Sequence, residues 1–363
     1  MYSGRSRFPG GSRRVTRGGL LYLGALREIL VISVATGLVL FTLSNASSVF
    51  RWHPLSEDLH ALNCNAHPVR GLDFDRDKQV LIVHSWPEEF EQIHLETGTV
   101  SKRRTPGNLV SAATSRTNST RVMLSEWSDG RQMLHQVYIF HGDELVLSEA
   151  LVFDINSSAN ARVSDDGTVV MVISHEGCVI GWDLATRELT RWEFQLDESA
   201  QTNSLSPDGN SLVISSDLGC SSIRDSRTGK KQITLPDFMG CSRTVGWSSD
   251  GRRLAVADQS GGLYVFEATS GNQIWQSKLD FMFARSIALS QRGNLLAVGG
   301  FDKQIHVWDL SQPTDPPATL TGEAGIVHNF AFMDSDTTLI SGSHDGSIRE
   351  WSLVKRELMR KLR

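Results

Sequence analysis

One four-residue turn, returning every 42 residues, limits what this chain can fold into. Gly167 in SDDG, Gly209 in SPDG, Gly251 in SSDG and Gly293 in SQRG are evenly spaced at that interval. Fifteen residues after each stands Trp182, Arg224, Phe266 or Trp308. A fixed period of this size marks one supersecondary unit copied several times, each copy too small to bury its apolar faces alone.

The period runs in both directions. Asp336 follows Gly293 by 43 residues and is followed in turn by Trp351 at the fifteenth position. Upstream, Ser119 and Lys78 fill the anchor slot, and Ile93 stands fifteen residues after Lys78. The anchors 78, 119, 167, 209, 251, 293 and 336 make seven copies. The one long gap, 48 residues between Ser119 and Gly167, has a visible cause: Phe140 falls at position +21 of its copy. Six extra residues lie around EWSDGRQM, read as a loop reaching past its neighbours. Trp127, Arg131 and Met133 there are candidate partner contacts, because aromatic and Arg side chains on loops commonly anchor binding. A solvated loop with no partner is the plain alternative.

Each copy holds short runs of four to seven residues, such as VVMVIS, SLVISS and NLLAVGG, rich in Val, Ile and Leu and bounded by Gly, Asp and Ser. These are strand signals, and no segment after residue 44 carries helical periodicity. Four strands per copy and seven copies predict an all-β chain, a seven-bladed β-propeller over residues 67–363 in which stacked sheets cover one another and leave only short edges.

These residues resemble the WD-repeat (β-transducin-like) propeller family. The likeness rests on GWDL at 181–184, VWDL at 307–310, EWSL at 350–353, SGSHDGSIREW at 341–351 and the SPDG and SDDG turns. It implies that Trp182, Trp308 and Trp351 wedge between blades from third strands. It also implies that Asp183 and Asp309 belong to the repeat, and that Asp302 and Asp345 accept hydrogen bonds that hold a tight turn. A Gly-His pair often completes this network in the family. None occurs here, the nearest being Gly322-Glu323, and the fourth copy has Leu218 and Arg224 in the Asp and Trp slots. An incomplete inter-blade network is therefore expected. ATSGNQIWQSKL at 268–279 is similar to the repeat of quinoprotein-type propellers, with Gly271 and Trp275 in place and Trp192 a poorer second match.

Ahead of the repeats, residues 1–28 are basic, with Arg5, Arg7, Arg13, Arg14 and Arg17 and no acid before residue 18. The 22 residues 29–50 carry no charge. About 20 apolar residues cross a bilayer, so a transmembrane or signal-anchor helix over 29–50 is expected. The long basic segment favours an uncleaved anchor over a signal peptide cut near Ser44-Asn45-Ala46. Residues 51–66 read as a linker. The positive-inside rule then places a single-pass chain with its propeller on the extracytoplasmic side, or a secreted or periplasmic protein if the segment is cleaved.

Without the five N-terminal arginines, 31 basic residues face 41 acidic ones, a net charge of −10. That field repels phosphate backbones, and nucleic-acid binding is not expected. Cys64, Cys178, Cys220 and Cys241 show no metal-ligand spacing, although Cys220 and Cys241 fall in loops on one face and a disulfide between them stays open. No nucleophile elbow, zinc signature or phosphate loop is present. The sequence reads as a non-enzymatic protein–protein interaction scaffold, with protein partners, no cofactor, no metal and no small-molecule substrate indicated. A quinoprotein-like or hydrolytic propeller enzyme with a central-channel site, or an envelope-assembly scaffold, is the alternative.

Overall fold

The structure is a computed structural model. It describes residues 29–34, 37–42 and 51–52, and residues 69–363 apart from 86–88, 105–107, 129–132, 152–157, 187–188, 217–220, 237–241, 281–283, 324 and 334–335. Two compact units result, Met1–Asn65 and Ala66–Arg363.

In the first unit, Ile29–Val34 pairs antiparallel with Gly37–Thr42, Val34 opposite Gly37, and Arg51–Trp52 pairs with Phe41 and Thr42. This differs from the expected helix. Val, Ile and Leu suit a strand as readily as a membrane helix, and the small residues around Gly37 permit a tight reversal. Among the described residues no helix is long and apolar enough to cross a membrane.

The second unit holds seven four-stranded antiparallel sheets, each built from consecutive strands. Blades one to seven span residues 69–104, 108–151, 159–195, 202–234, 242–278, 284–320 and 327–361. The first strand of every blade lies beside the first strand of the next, and that of blade seven beside that of blade one, so the ring is closed. Blade seven takes its outer strand, Glu357–Lys361, from its own copy. Among the described residues no strand is shared across the seam with blade one. Arg360 Nη2 instead donates to Leu95 O at 3.3 Å, and Arg363 Nη1 lies 3.1 Å from Glu91 Oε2.

Burial follows position within a blade. The second strand Val169–Ser174 is buried at every residue, which is why its sequence VVMVIS shows no polar alternation. The outer strand Thr190–Gln195 alternates between exposed and half-buried. Around the excess of blade two, where a loop is expected, the described residues are strand. The second and third strands run to Thr120–Ser128 and Met133–His141, with Leu134 opposite Trp127, and residues 129–132 lie outside the described residues.

Each seam has its own apolar cluster. Trp182 packs with Val122, Val137 and Ile139 of blade two, Trp308 with Leu263 and Val265 of blade five, and Trp351 with Ala297, Ile305 and Val307 of blade six. In the seam between blades four and five the smaller Phe266 takes this part beside Val213, Ile223 and Leu235.

Candidate functional site

The recurring turn is a hydrogen-bonded cap. In blade four, Ser206 Oγ donates to Asp208 Oδ1 at 2.6 Å and accepts from Ser211 N at 2.9 Å, while Gly209 N donates to Ser206 O at 2.9 Å. Gly209 has φ of 72°, a conformation open to glycine at no steric cost. Ser164 with Asp166 and Ser248 with Asp250 repeat the arrangement in blades three and five.

The carbonyl at the second turn position accepts from the turn of the preceding blade. Arg76 N donates to Arg116 O, Thr117 N to Asp165 O, Asp165 N to Pro207 O and Asp250 N to Gln291 O, at 2.7 to 3.0 Å. The turns are thus laced into a rim at one mouth of the ring. Arg116 spans that mouth: from blade two its Nη1 donates to Ser249 Oγ of blade five, and its Nη2 to Phe332 O of blade seven at 3.0 Å.

Inside the ring, Arg162 on the first strand of blade three donates to Asn203 O at 3.0 and 3.2 Å and to Ala161 O at 2.8 Å. Burial depresses its pKa to about 10, partly offset by the charge of Asp73. Asp73 in turn accepts from Thr114 N at 3.1 Å and lies 3.5 Å from His84 Nε2. Burial raises the carboxyl of Asp165 to about 6, against the pull of Arg116 and with a further push from Asp166 and Asp73. Next to these groups a cavity of about 680 Å³ opens at the mouth, with Asp165, Asp208 and Asp250 on its rim and Ile233, Trp247 and Ala268 on its wall.

The repeat residues singled out in the sequence are spread around the ring. Asp183 accepts from Ala185 N at 2.9 Å and pairs with Arg227 of the next blade; burial pushes its pKa up, but these bonds hold it below the usual value. Asp309 accepts from Ser311 N and Oγ at 2.9 and 2.6 Å. Asp302 Oδ2 lies 2.7 Å from His306 Nε2, and Asp345 accepts from Ser347 N at 3.0 Å. Trp182 Nε1 donates to Glu149 Oε2 at 3.2 Å. Trp275 meets Trp308 edge to face at 5.9 Å between ring centroids, and a Cβ on Gly271 would fall 2.4 Å from Ile233. Of the blade-two candidates, Trp127 and Met133 lie on the extended strands and Arg131 lies outside the described residues, as do Cys220 and Cys241.

The inter-blade network is more complete than the sequence implies. In blade seven Trp351 Nε1 donates to Ser341 Oγ at 2.8 Å, and Ser341 Oγ donates to Glu323, which also receives Arg349. A buried carboxylate, raised in pKa by burial and partly restrained by Ser341 and Arg349, thus stands where the family has histidine. Blade four answers its missing tryptophan similarly. Arg224 Nη2 lies 2.6 Å from Asp197 Oδ1 and also binds Glu198, while Trp192 and Phe194 of blade three fill the apolar space.

Arg116, Asp165 and Arg162 were not singled out in the sequence. The available signal was the second turn position, occupied by Arg116, Asp165, Pro207, Ser249 and Gln291, which varies even in copies three to six, where Ser precedes it and Gly closes the turn.

Closed sheets, laced turns and wedged seams define a seven-bladed β-propeller. The family model described as "WD domain, G-beta repeat" matches residues 283–309 and 314–352, in blades six and seven. The chain is a WD-repeat β-propeller. It is 27% identical over 190 residues to WD repeat-containing protein SL1-17 of Schistosoma mansoni, covering 51% of this chain and 57% of that one. It is 27% identical over 146 residues to the guanine nucleotide-binding protein subunit beta of Solanum tuberosum (35% and 39%). Over 71 residues it is 35% identical to the U3 snoRNP-associated protein-like EMB2271 of Arabidopsis thaliana (20% and 15%). The matches thus span 15% to 57% of these relatives' own lengths.

Proposed function

We propose that this propeller is a non-enzymatic platform for protein–protein contacts. The observation that carries the reading is the rim of turns at the mouth, a rigid and polar surface with a cavity beside it. Rigid rings that present polar loops suit recognition rather than chemistry. The charged groups at the axis are engaged in structure: Arg162 holds two carbonyls and Asp73 holds a backbone amide. Similarity to WD-repeat relatives supports the same reading.

Residues 29–50 are proposed to hold the chain at a membrane, supported by their 22 uncharged positions after an arginine-rich segment. Insertion would turn the hairpin into a helix, since six-residue strands fall short of the roughly 9–11 that cross a bilayer. In that orientation the propeller is extracytoplasmic.

The test is crosslinking of membrane preparations, with co-purified proteins compared between the full chain and one lacking residues 127–133. Specific protein adducts support the platform, and their absence from every preparation overturns it. Unchanged adducts after the deletion remove the blade-two hairpin as the contact. Protease digestion of sealed vesicles tests the orientation, which predicts a protected propeller only when the propeller lies inside.

A further inference from the structure

The cavity at the mouth is asymmetric in a way the scaffold does not require. It is lined by four carboxylates, Asp165, Asp166, Asp208 and Asp250, against two cations, Arg76 and Arg116, and the guanidinium of Arg116 is already committed to Ser249 and Phe332. Its wall runs outward between blades four and five, where Phe266 stands in the slot that Trp182, Trp308 and Trp351 fill in three other seams. Ile233 and Trp247 pack against that seam but stay half-buried, leaving apolar surface facing the opening. An acidic rim and an apolar slot therefore share one cavity.

Asp208 accepts through both oxygens, Oδ1 from Ser206 and Asn210 N and Oδ2 from Asn210 Nδ2, and Asp250 caps its turn through Oδ1. Asp165 has a different setting. Its backbone laces the rim while its carboxyl, half-buried, faces Arg116, Asp166 and Asp73. A second cation would be favoured there, because it would offset the repulsion from the two neighbouring carboxylates. The ring, with 29 basic against 38 acidic residues over 67–363 and so a net charge of −9, adds a long-range field of the same sign.

We infer that this cavity receives an extended segment of a partner protein that sets a lysine or arginine against Asp165 and an apolar side chain against Trp247 and Ile233. The inference rests on the platform reading and names the partner's chemistry. The acidic rim supplies orientation and encounter rate, and the slot between blades four and five supplies the desolvated anchor.

The probe is an array of nine-residue Gly-Ser peptides carrying one Arg or one Glu, with Leu or Ser two residues further on, titrated against the full chain by fluorescence anisotropy. Peptides with both Arg and Leu are expected to bind at least tenfold more tightly than those with Glu, with the margin shrinking as salt is raised. Asp165→Asn, which is isosteric, should weaken that binding about fivefold or more. Thr269→Trp, at an exposed position on the slot, should abolish it. Variants are compared only where thermal melting shows them folded. Equal binding of Arg and Glu peptides, or binding indifferent to both variants, overturns the inference. So does a chain lacking residues 1–28 that binds tenfold more tightly than the full chain, because the occupant would then be its own arginine segment. Protein adducts that form equally in both variants would overturn the cavity assignment and leave the platform standing.

Discussion

The seam between blades six and seven and the seam between blades three and four do the same job with opposite chemistry. In the first, Trp351 is fully buried among Ala297, Ile305 and Leu320, and its indole N–H is met by Ser341. In the second, the equivalent position holds Arg224, buried at 3% exposure, held by Asp197, Glu198, Ser222 and Gly229 O. An apolar wedge is stabilised by area removed from water; a buried cation is tolerated only while its partners remain. The repeat tolerates either, provided that the seam is filled and every buried polar group is answered.

The largest test of this contrast is Trp351→Ala. It should cost about 4 kcal/mol of stability in denaturant unfolding, since a large cavity would open in a closed seam. A loss below about 1 kcal/mol would mean that the wedge is dispensable. Next is Arg224→Ala, expected to cost roughly 3 kcal/mol because the buried slot empties and Glu198 keeps only Ser222 at 3.2 Å and Lys231 at 3.9 Å. Arg224→Met with Glu198→Gln should recover most of that loss. Only the Arg224 seam should also weaken in high salt.

A third test moves to the turn rim. The folded pKa of Asp165 is raised to about 6, above its unfolded value. Its neutral form thus favours the fold below the unfolded pKa, and that advantage disappears as pH rises through about 6. Asp165→Asn should therefore gain on the natural chain by roughly 2 kcal/mol between pH 4 and pH 7. Denaturant melts at both pH values read the difference, and a constant gap would show that Asp165 is not strained. The smallest effect is expected for Glu323→Gln, about 1 kcal/mol: the amide still accepts from Ser341 but gives Arg349 no charge.

What could be read in advance and what could not divide along a physical line. The strands recur in every copy and the Ser-x-x-Gly turn in copies three to six, so comparison of copies exposes them and the blade number. The contacts that tune each seam do not recur. Glu323 substitutes for a histidine from outside its own strand pattern, and Arg116 finds Ser249 from 133 residues away. The excess in blade two was legible in length but not in form, because the residues around Asp129-Gly130 suit a loop and a hairpin tip alike. Residues 29–42 posed a similar ambiguity, since one apolar run satisfies both a membrane helix and a β-hairpin. The axial groups escaped because the second turn position varies.

The seam between blades seven and one is crossed by no connecting peptide, and the contact from Arg360 to Leu95 joins residues 265 apart. That separation becomes a matter of timing as the chain is made. Blade one is complete long before its final neighbour exists, and at roughly 5–20 residues per second the interval is about 13 to 53 seconds. Throughout it Val69, Leu72 and Leu81, which the finished ring buries, have no cover from the last blade. Until then the newborn ring is an open arc with an uncovered apolar end, a surface on which two unfinished chains can pair.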